Sequence, residues 1–189
     1  MLEICGVLLA AGIGSRFGGA KLLHPLADGT PLGVAAARHL LSAVSDVVAV
    51  VRTGDFPLAD LLEAEGCRIG MCADASRGMG ASLAYGVGMC RNAHGWLVAL
   101  ADMPRIKPET ISAIAQRLMA GADLVAPVYQ GRRGHPVGIS HRFRSELTAL
   151  GDDFGARDLI AAHRIELVLV ETADDGVVHD VDRREDLLK

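Results

Sequence analysis

The first place in this chain where chemistry could occur is a glycine run with two basic residues. Leu9-Ala10-Ala11-Gly12-Ile13-Gly14-Ser15-Arg16-Phe17-Gly18-Gly19-Ala20-Lys21 closes an apolar segment. Glycines let backbone N–H groups approach an anion with no side chain between them, and Arg16 and Lys21 add positive charge. The spacing separates this loop from two common phosphate binders. Gly12-x-Gly14-x-x-x-Gly18 is one residue too long for the dinucleotide fingerprint. Lys21 has neither the preceding glycine nor the following Ser or Thr of a P-loop. A solvated glycine turn is the competing reading. Position favours ligand binding, because the loop lies beyond the carboxyl end of a buried strand, where open α/β sheets bind ligands.

Asp102 is the second candidate. It is a lone acid between the apolar run Trp96–Ala101 and Met103-Pro104. Magnesium takes few protein carboxylates and fills its octahedron with phosphate oxygens and water, so one acid at a strand end suits it. A turn aspartate or helix cap is the alternative, weakened because the next helix starts only near Pro108. Gly78-Met79-Gly80-Ala81-Ser82 is a second glycine loop, in which Ser82 reads equally as a ligand contact or a plain cap. His135 stands between Gly134 and Pro136, beside the basic pair Arg132-Arg133. No Ser or Cys nucleophile in a GxSxG elbow accompanies it. The other six histidines show no ligand spacing.

These residues need a scaffold, and the pattern of apolar runs supplies one. Strands are expected at Ile4–Ala10, Val47–Arg52, Arg68–Ala73, Trp96–Ala101 and Leu124–Val128. Helices are expected at Leu32–Ala43, Leu58–Glu65, Ala81–Asn92 and Pro108–Ala120, the last with Pro in its first turn and Gly121 past its end. Alternating strands and helices with continuously apolar strands imply a parallel sheet covered on both faces. After Tyr129 the rhythm changes to a short strand at Val137–Ser140, helices near His141–Leu150 and Gly155–His163, and a strand at Ile165–Glu171. A further strand at Val177–Val181 and a last turn from Arg184 follow. The expectation is one domain over residues 1–189, with 1–128 as the ligand-binding core and 129–189 as an elaboration of the same sheet.

Composition narrows the function. Of 189 residues half are hydrophobic, so a substantial core can form and disorder is excluded. With seven aromatic residues and a net charge of −4, there is little to track a phosphate backbone or stack on bases, which argues against a nucleic-acid partner. Arg38, His39 and Asp46 interrupt the longest apolar stretch, so no membrane span is expected. Glu3 stands where a signal peptide needs basic residues. Cys5, Cys67, Cys72 and Cys90 form no CxxC pair, and free thiols in a reducing cytoplasm are the simple expectation.

Taken in order, the motifs resemble those of the nucleotidyltransferases related to molybdenum-cofactor enzymes. The glycine loop is similar to their LAAGxGxRxGxxK signature, and Gly78 to Leu83 to their second nucleotide loop. Ala101-Asp102-Met103-Pro104 falls where the family carries a metal-binding aspartate. Arg133-Gly134-His135-Pro136-Val137 and Gly151-Asp152-Asp153-Phe154-Gly155-Ala156-Arg157 resemble segments of the molybdopterin cytidylyltransferase branch. Asp180-Val181-Asp182-Arg183-Arg184-Glu185-Asp186-Leu187 resembles its closing motif, with Arg183-Arg184 in place of Thr-Pro.

The resemblance implies a three-layer Rossmann-like α/β fold of the nucleotide-diphospho-sugar transferase type. It implies magnesium-dependent transfer of CMP from CTP to molybdopterin, with a molybdoenzyme or maturation chaperone receiving the product. By the same resemblance Lys21, Arg16 and Asp102 are catalytic, and Leu9, Ala10, Ala11, Gly12, Gly14, Lys21, Asp74, Gly78, Gly80 and Ser82 bind nucleotide. Arg133, His135, Asp153 and Arg157 meet the acceptor, and Asp102 with Asp182 holds the metal. For Asp182, capping of the last helix is the competing role. Two rivals stand beside this reading: transfer to a sugar or polyol phosphate, and a non-catalytic nucleotide- or cofactor-binding chaperone on the same fold. Ala11 bears on base choice, since the guanylyl branch has glycine there and its methyl disfavours the bulkier purine.

Overall fold

Short runs rich in β-branched residues with no polar face suit a sheet covered on both sides, where neighbouring strands satisfy the backbone. The computed structural model describes residues 3–151 and 155–188 and contains such a sheet. Its strands are β1 (Ile4–Leu9), β2 (Asp46–Arg52), β3 (Arg68–Cys72), β4 (Gly95–Leu100), β5 (Leu124–Tyr129), β6 (Arg132–Arg133), β7 (Val137–Ser140) and β8 (Leu167–Glu171). The helices are α1 (Leu32–Leu41), α2 (Phe56–Ala64), α3 (Met79–Met89), α4 (Pro108–Met119), α5 (Arg144–Thr148) and α6 (Arg157–Ala162).

The strand order is β3-β2-β1-β4-β7-β5-β6, with β8 also paired to β5. Pairs β1–β2, β1–β4, β2–β3 and β5–β8 are parallel, whereas β7 runs antiparallel between β4 and β5, and β6 antiparallel to β5. The sheet is thus mixed and mostly parallel, with β6, β7 and β8 continuing the sheet that β1 to β5 begin. Alternation along β1 shows the two faces. Leu8 packs with α1, α2 and α4 residues such as Leu40, Leu62 and Ile114. Val7 packs on the opposite side with Leu83 and Val87 of α3 and Leu147 of α5. Helices therefore cover both faces, and the loops after β1 and β4 emerge together at one end of the sheet.

Several boundaries differ from the sequence expectation. A 3-10 turn at Ala73–Arg77 precedes α3, which begins two residues early, at Met79, so Ser82 lies in its second turn and is not its cap. The segment near His141–Leu150 divides into a 3-10 turn and the short α5, and Arg164–Glu166 forms a 3-10 turn ahead of β8. Val177-Val178 lies in a 3-10 turn, Asp175–Val178, despite its β-branched residues. The buried Asp174 fixes that turn, accepting hydrogen bonds from the Gly176 and Lys107 backbone N–H groups and from the Thr110 hydroxyl. Local propensity yields there to a tertiary hydrogen-bond set.

The cysteines require a larger correction. Cys5 on β1 and Cys90, just past α3, form a disulfide, while Cys67 and Cys72 are free and buried. Their separation of 85 residues hides the pair from any spacing argument.

Gly134 shows how closely the turn at 175–178 packs. Its N–H donates to the Pro127 carbonyl, the next N–H donates to the Val177 carbonyl, and a Cβ at Gly134 would collide with that Val177 oxygen. Gly134→Ala should therefore destabilise the protein by about 1–3 kcal/mol, measured by urea unfolding. An unchanged midpoint would show that this contact is not tight.

Candidate active site

The glycine loop owes its shape to particular residues. Gly14, Gly18 and Gly19 all adopt positive φ, which side-chain-bearing residues rarely do. The Phe17 N–H donates to the Gly14 carbonyl, and the Phe17 ring is buried as an anchor against His24, with the Arg184 guanidinium over it. The chain then enters a 3-10 turn at Lys21–Leu23. That turn carries Lys21 inward, its side chain only 9% exposed.

A buried ammonium needs a partner, and two carboxylates meet it. Lys21 Nζ lies 2.8 Å from Asp102 Oδ2 and 3.6 Å from Asp182 Oδ1. Arg16 reaches Asp182 Oδ2 at 2.7 Å. The Val181 N–H donates to the Asp102 carbonyl, which draws the C-terminal segment against the end of β4. Asp102, Asp180 and Asp182 each offer a carboxylate oxygen within 4.8 Å of the others. The Asp182 carboxylate is turned towards Arg16 and Lys21, while the Asp186 carboxylate accepts from the 182 and 183 N–H groups. The oxygen-only donor set suits a hard divalent cation, and Lys21 and Arg16 offset two of its three negative charges.

Beside this cluster opens a cleft of about 440 Å³, lined by Ala11, Gly12, Lys21, Gly78, Ser82 and Asp102 among others. A second cavity of about 320 Å³ is lined by Arg133, His135 and Arg157 with Val98 and Ile160. Leu9, Met79 and Leu100 line both, so the cavities adjoin. Of the expected nucleotide residues, Ala10 and Gly80 are buried and Gly14 half-buried, and none of the three lines the cleft. Asp74 is exposed in the 3-10 turn and lies outside the lining, where Ala75 and Ser76 of the same turn stand. Asp153 falls outside the described residues. Sequence reasoning passed over Asp180, Ile13 and Ser76. Asp180 alone had a signal, its place two residues before Asp182.

His135 is the unusual group of the second cavity. Its Nδ1 is buried without a hydrogen-bond partner, and the ring bonds the Val98 backbone. Burial holds its pKa below the usual histidine range; the Val98 hydrogen bond opposes this, and the Arg133 charge adds to the lowering. Burial likewise pushes the Cys67 thiol up, to about 11, so that cysteine is inert packing.

With this geometry in place, the chain can be set beside known proteins. Residues 6–167 match the MobA-like NTP transferase domain, and the chain belongs to that family of nucleotidyltransferases. Nicotine blue oxidoreductase of Paenarthrobacter nicotinovorans is 29% identical, over 98% of this chain and 95% of that one. Rv0371c from Mycobacterium tuberculosis H37Rv is 28% identical with a TM-score of 0.81, over 97% of this chain and 94% of that one. A manganese complex of Rv0371C superposes at a TM-score of 0.76 with 25% identity, over 97% and 95%. A nucleotidyl transferase from Methanothermobacter thermautotroptrophicus, at 22% identity and a TM-score of 0.83 over 98% and 94%, shares the fold. Among the described residues no helix is long and apolar enough to cross a membrane.

Two expectations follow from the site. A methyl added at Gly12 meets nothing within 4 Å, so Gly12→Ala should keep stability within about 0.5 kcal/mol while weakening nucleoside triphosphate binding in a calorimetric titration. Unchanged affinity would mean that no ligand approaches the backbone there. Burial disfavours the protonated form of His135 in the folded protein, whereas the unfolded chain takes up a proton below about pH 6.5. Its contribution is therefore complete above that pH and is lost as pH falls towards the depressed folded value. The thermal midpoint should drop more on acidification for the wild type than for His135→Gln. Equal drops would show that His135 protonates freely in the folded state.

Proposed function

We propose that this protein is a magnesium-dependent cytidylyltransferase that transfers CMP from CTP to the phosphate of molybdopterin, giving molybdopterin cytosine dinucleotide and pyrophosphate. The observation that carries the reading is the Lys21–Asp102–Asp182 cluster beside two adjoining cavities. In-line attack on an α-phosphorus needs two substrates held end to end and charge neutralised on the leaving pyrophosphate.

In this reading the larger cleft takes the nucleotide, with Gly12 and Gly78 leaving room for phosphate and base. Lys21 and Arg16 leave their carboxylates to hold the triphosphate tail. Asp102 and Asp182, with Asp180 adjacent, would hold a magnesium ion, which would supply charge neutralisation at phosphate oxygens. The second cavity takes the acceptor, where Arg133 and Arg157 offer charge to its phosphate and His135 forms the wall. Residues 129–189 form the acceptor side of a single domain. The Ala11 methyl lines the nucleotide cleft, which supports a pyrimidine over a purine. The Gly134-His135-Pro136 and Gly151-to-Arg157 segments support a pterin over a sugar or polyol phosphate, and the intact Lys21–Asp102 pair speaks against a mere chaperone. Work in the cytoplasm, with delivery to a molybdoenzyme or its maturation chaperone, completes the reading.

Pyrophosphate release with each of four nucleoside triphosphates, magnesium and isolated molybdopterin tests it. Release is expected with CTP and pterin, and release with sugar phosphates alone would overturn the acceptor. Asp102→Asn should fold, since Asp182 still faces Lys21, and lose roughly 100-fold or more in turnover. A near-normal rate at limiting magnesium would remove Asp102 from the metal site.

A further inference from the structure

Asp182 occupies both of the cations that the proposed reaction needs for its triphosphate. Its Oδ2 lies 2.7 Å from an Arg16 guanidinium nitrogen, and its Oδ1 lies 3.6 Å from Lys21 Nζ. One carboxylate thus bridges the two groups with separate oxygens, as a phosphate can, because guanidinium and ammonium donors serve either anion. Asp102 differs, since its one ion pair among the described residues is with Lys21. Asp180 forms no ion pair among the described residues, although its carboxylate lies within 4.8 Å of the other two.

The chain on either side keeps Asp182 in place. The Val181 N–H donates to the Asp102 carbonyl, and the Asp186 carboxylate accepts from the 182 and 183 N–H groups. The Arg184 guanidinium lies over the Phe17 ring of the glycine loop. A tethered carboxylate competes with any dissolved polyanion, whose apparent affinity falls with the share of molecules in which the cations are taken. Charge acts in the same direction. Three carboxylates and two cations leave one negative charge in the cluster, a sign that reverses when a divalent cation joins the carboxylates.

We infer that Asp182 is a specificity-determining residue that rejects metal-free nucleoside triphosphate: its carboxylate bridges Arg16 and Lys21, and releases them when it turns to a divalent cation. The inference rests on the reading of the larger cleft as a nucleotide site. Discrimination of this kind is built against the wrong ligand, and needs no added contact to the right one. Asp182 then has two partners in succession, the cations first and the metal afterwards. Only the metal-bound nucleotide meets Arg16 and Lys21 released from it.

Calorimetric titration of the full chain with CTP, and with inorganic tripolyphosphate as the bare tail, in EDTA and in magnesium, is the test. In EDTA, Asp182→Asn should bind both probes about three-fold or more tightly than the wild type does. Asp180→Asn removes the same charge from the cluster without freeing either cation, and should give clearly less gain. A residue that only ligated metal would leave the EDTA titrations unmoved. No gain there, with CTP still bound by the wild type in magnesium, overturns the inference and leaves the nucleotide reading standing. An Asp180→Asn gain as large as that of Asp182→Asn overturns it too, since loss of charge alone would then suffice. If CTP binds no variant in either buffer, the nucleotide reading falls and the inference falls with it. Lys21 keeps Asp102 in these variants, and Asp182→Ser serves as the second neutral replacement if the amide disturbs folding.

Discussion

A buried ammonium that must find a negative partner is the constraint on which this molecule turns. Lys21 has almost no access to water, and an unpaired charge there would cost several kcal/mol. It therefore binds Asp102 at the end of β4 and leans on Asp182 in the C-terminal segment. Three stretches distant in sequence are drawn to one point. Positive φ at Gly14, Gly18 and Gly19 lets the loop turn back, and the buried Phe17 holds it down. The backbone bond from Val181 to Asp102 brings the tail alongside. Lys21 and Arg16 offset two of the three clustered carboxylates, an oxygen donor set of the kind that suits a hard divalent cation.

Much of this was legible in the sequence, for local reasons. The central strands are apolar on both faces and admit no other placement. Asp102 stood out as the lone acid at a strand end, and the glycines of the first loop sit where the backbone needs them. Features that escaped depend on contacts between distant segments. The Cys5–Cys90 bond follows from where β1 begins and α3 ends in space. Asp180 gains meaning only once the tail is laid against β4. The β-branched Val177-Val178 suggested a strand, but the buried Asp174 holds a 3-10 turn there with three hydrogen bonds. Asp74 sat near the second loop in sequence, and the turn at 73–77 faces it outward.

The two cavities give this geometry its functional sense. They share Leu9, Met79 and Leu100, residues from β1, α3 and β4, so the elements that shape one also shape the other. Met79 is central to this, because its early placement at the start of α3 puts a flexible side chain between the two spaces. Gly134 continues the same economy on the other side, where close backbone approach to the 175–178 turn sets the position of His135. Residues of the second cavity thus depend on the C-terminal segment that also delivers Asp182.

Under the proposed function, Asp102 and Asp182 hold a divalent cation together with a nucleotide. Electron paramagnetic resonance of manganese, titrated into the protein with and without CTP, measures this without turnover. The account expects manganese to bind much more tightly when CTP is present, and both Asp102→Asn and Asp182→Asn to lose most of that gain. Manganese binding that CTP does not strengthen, or that survives both substitutions, would contradict it.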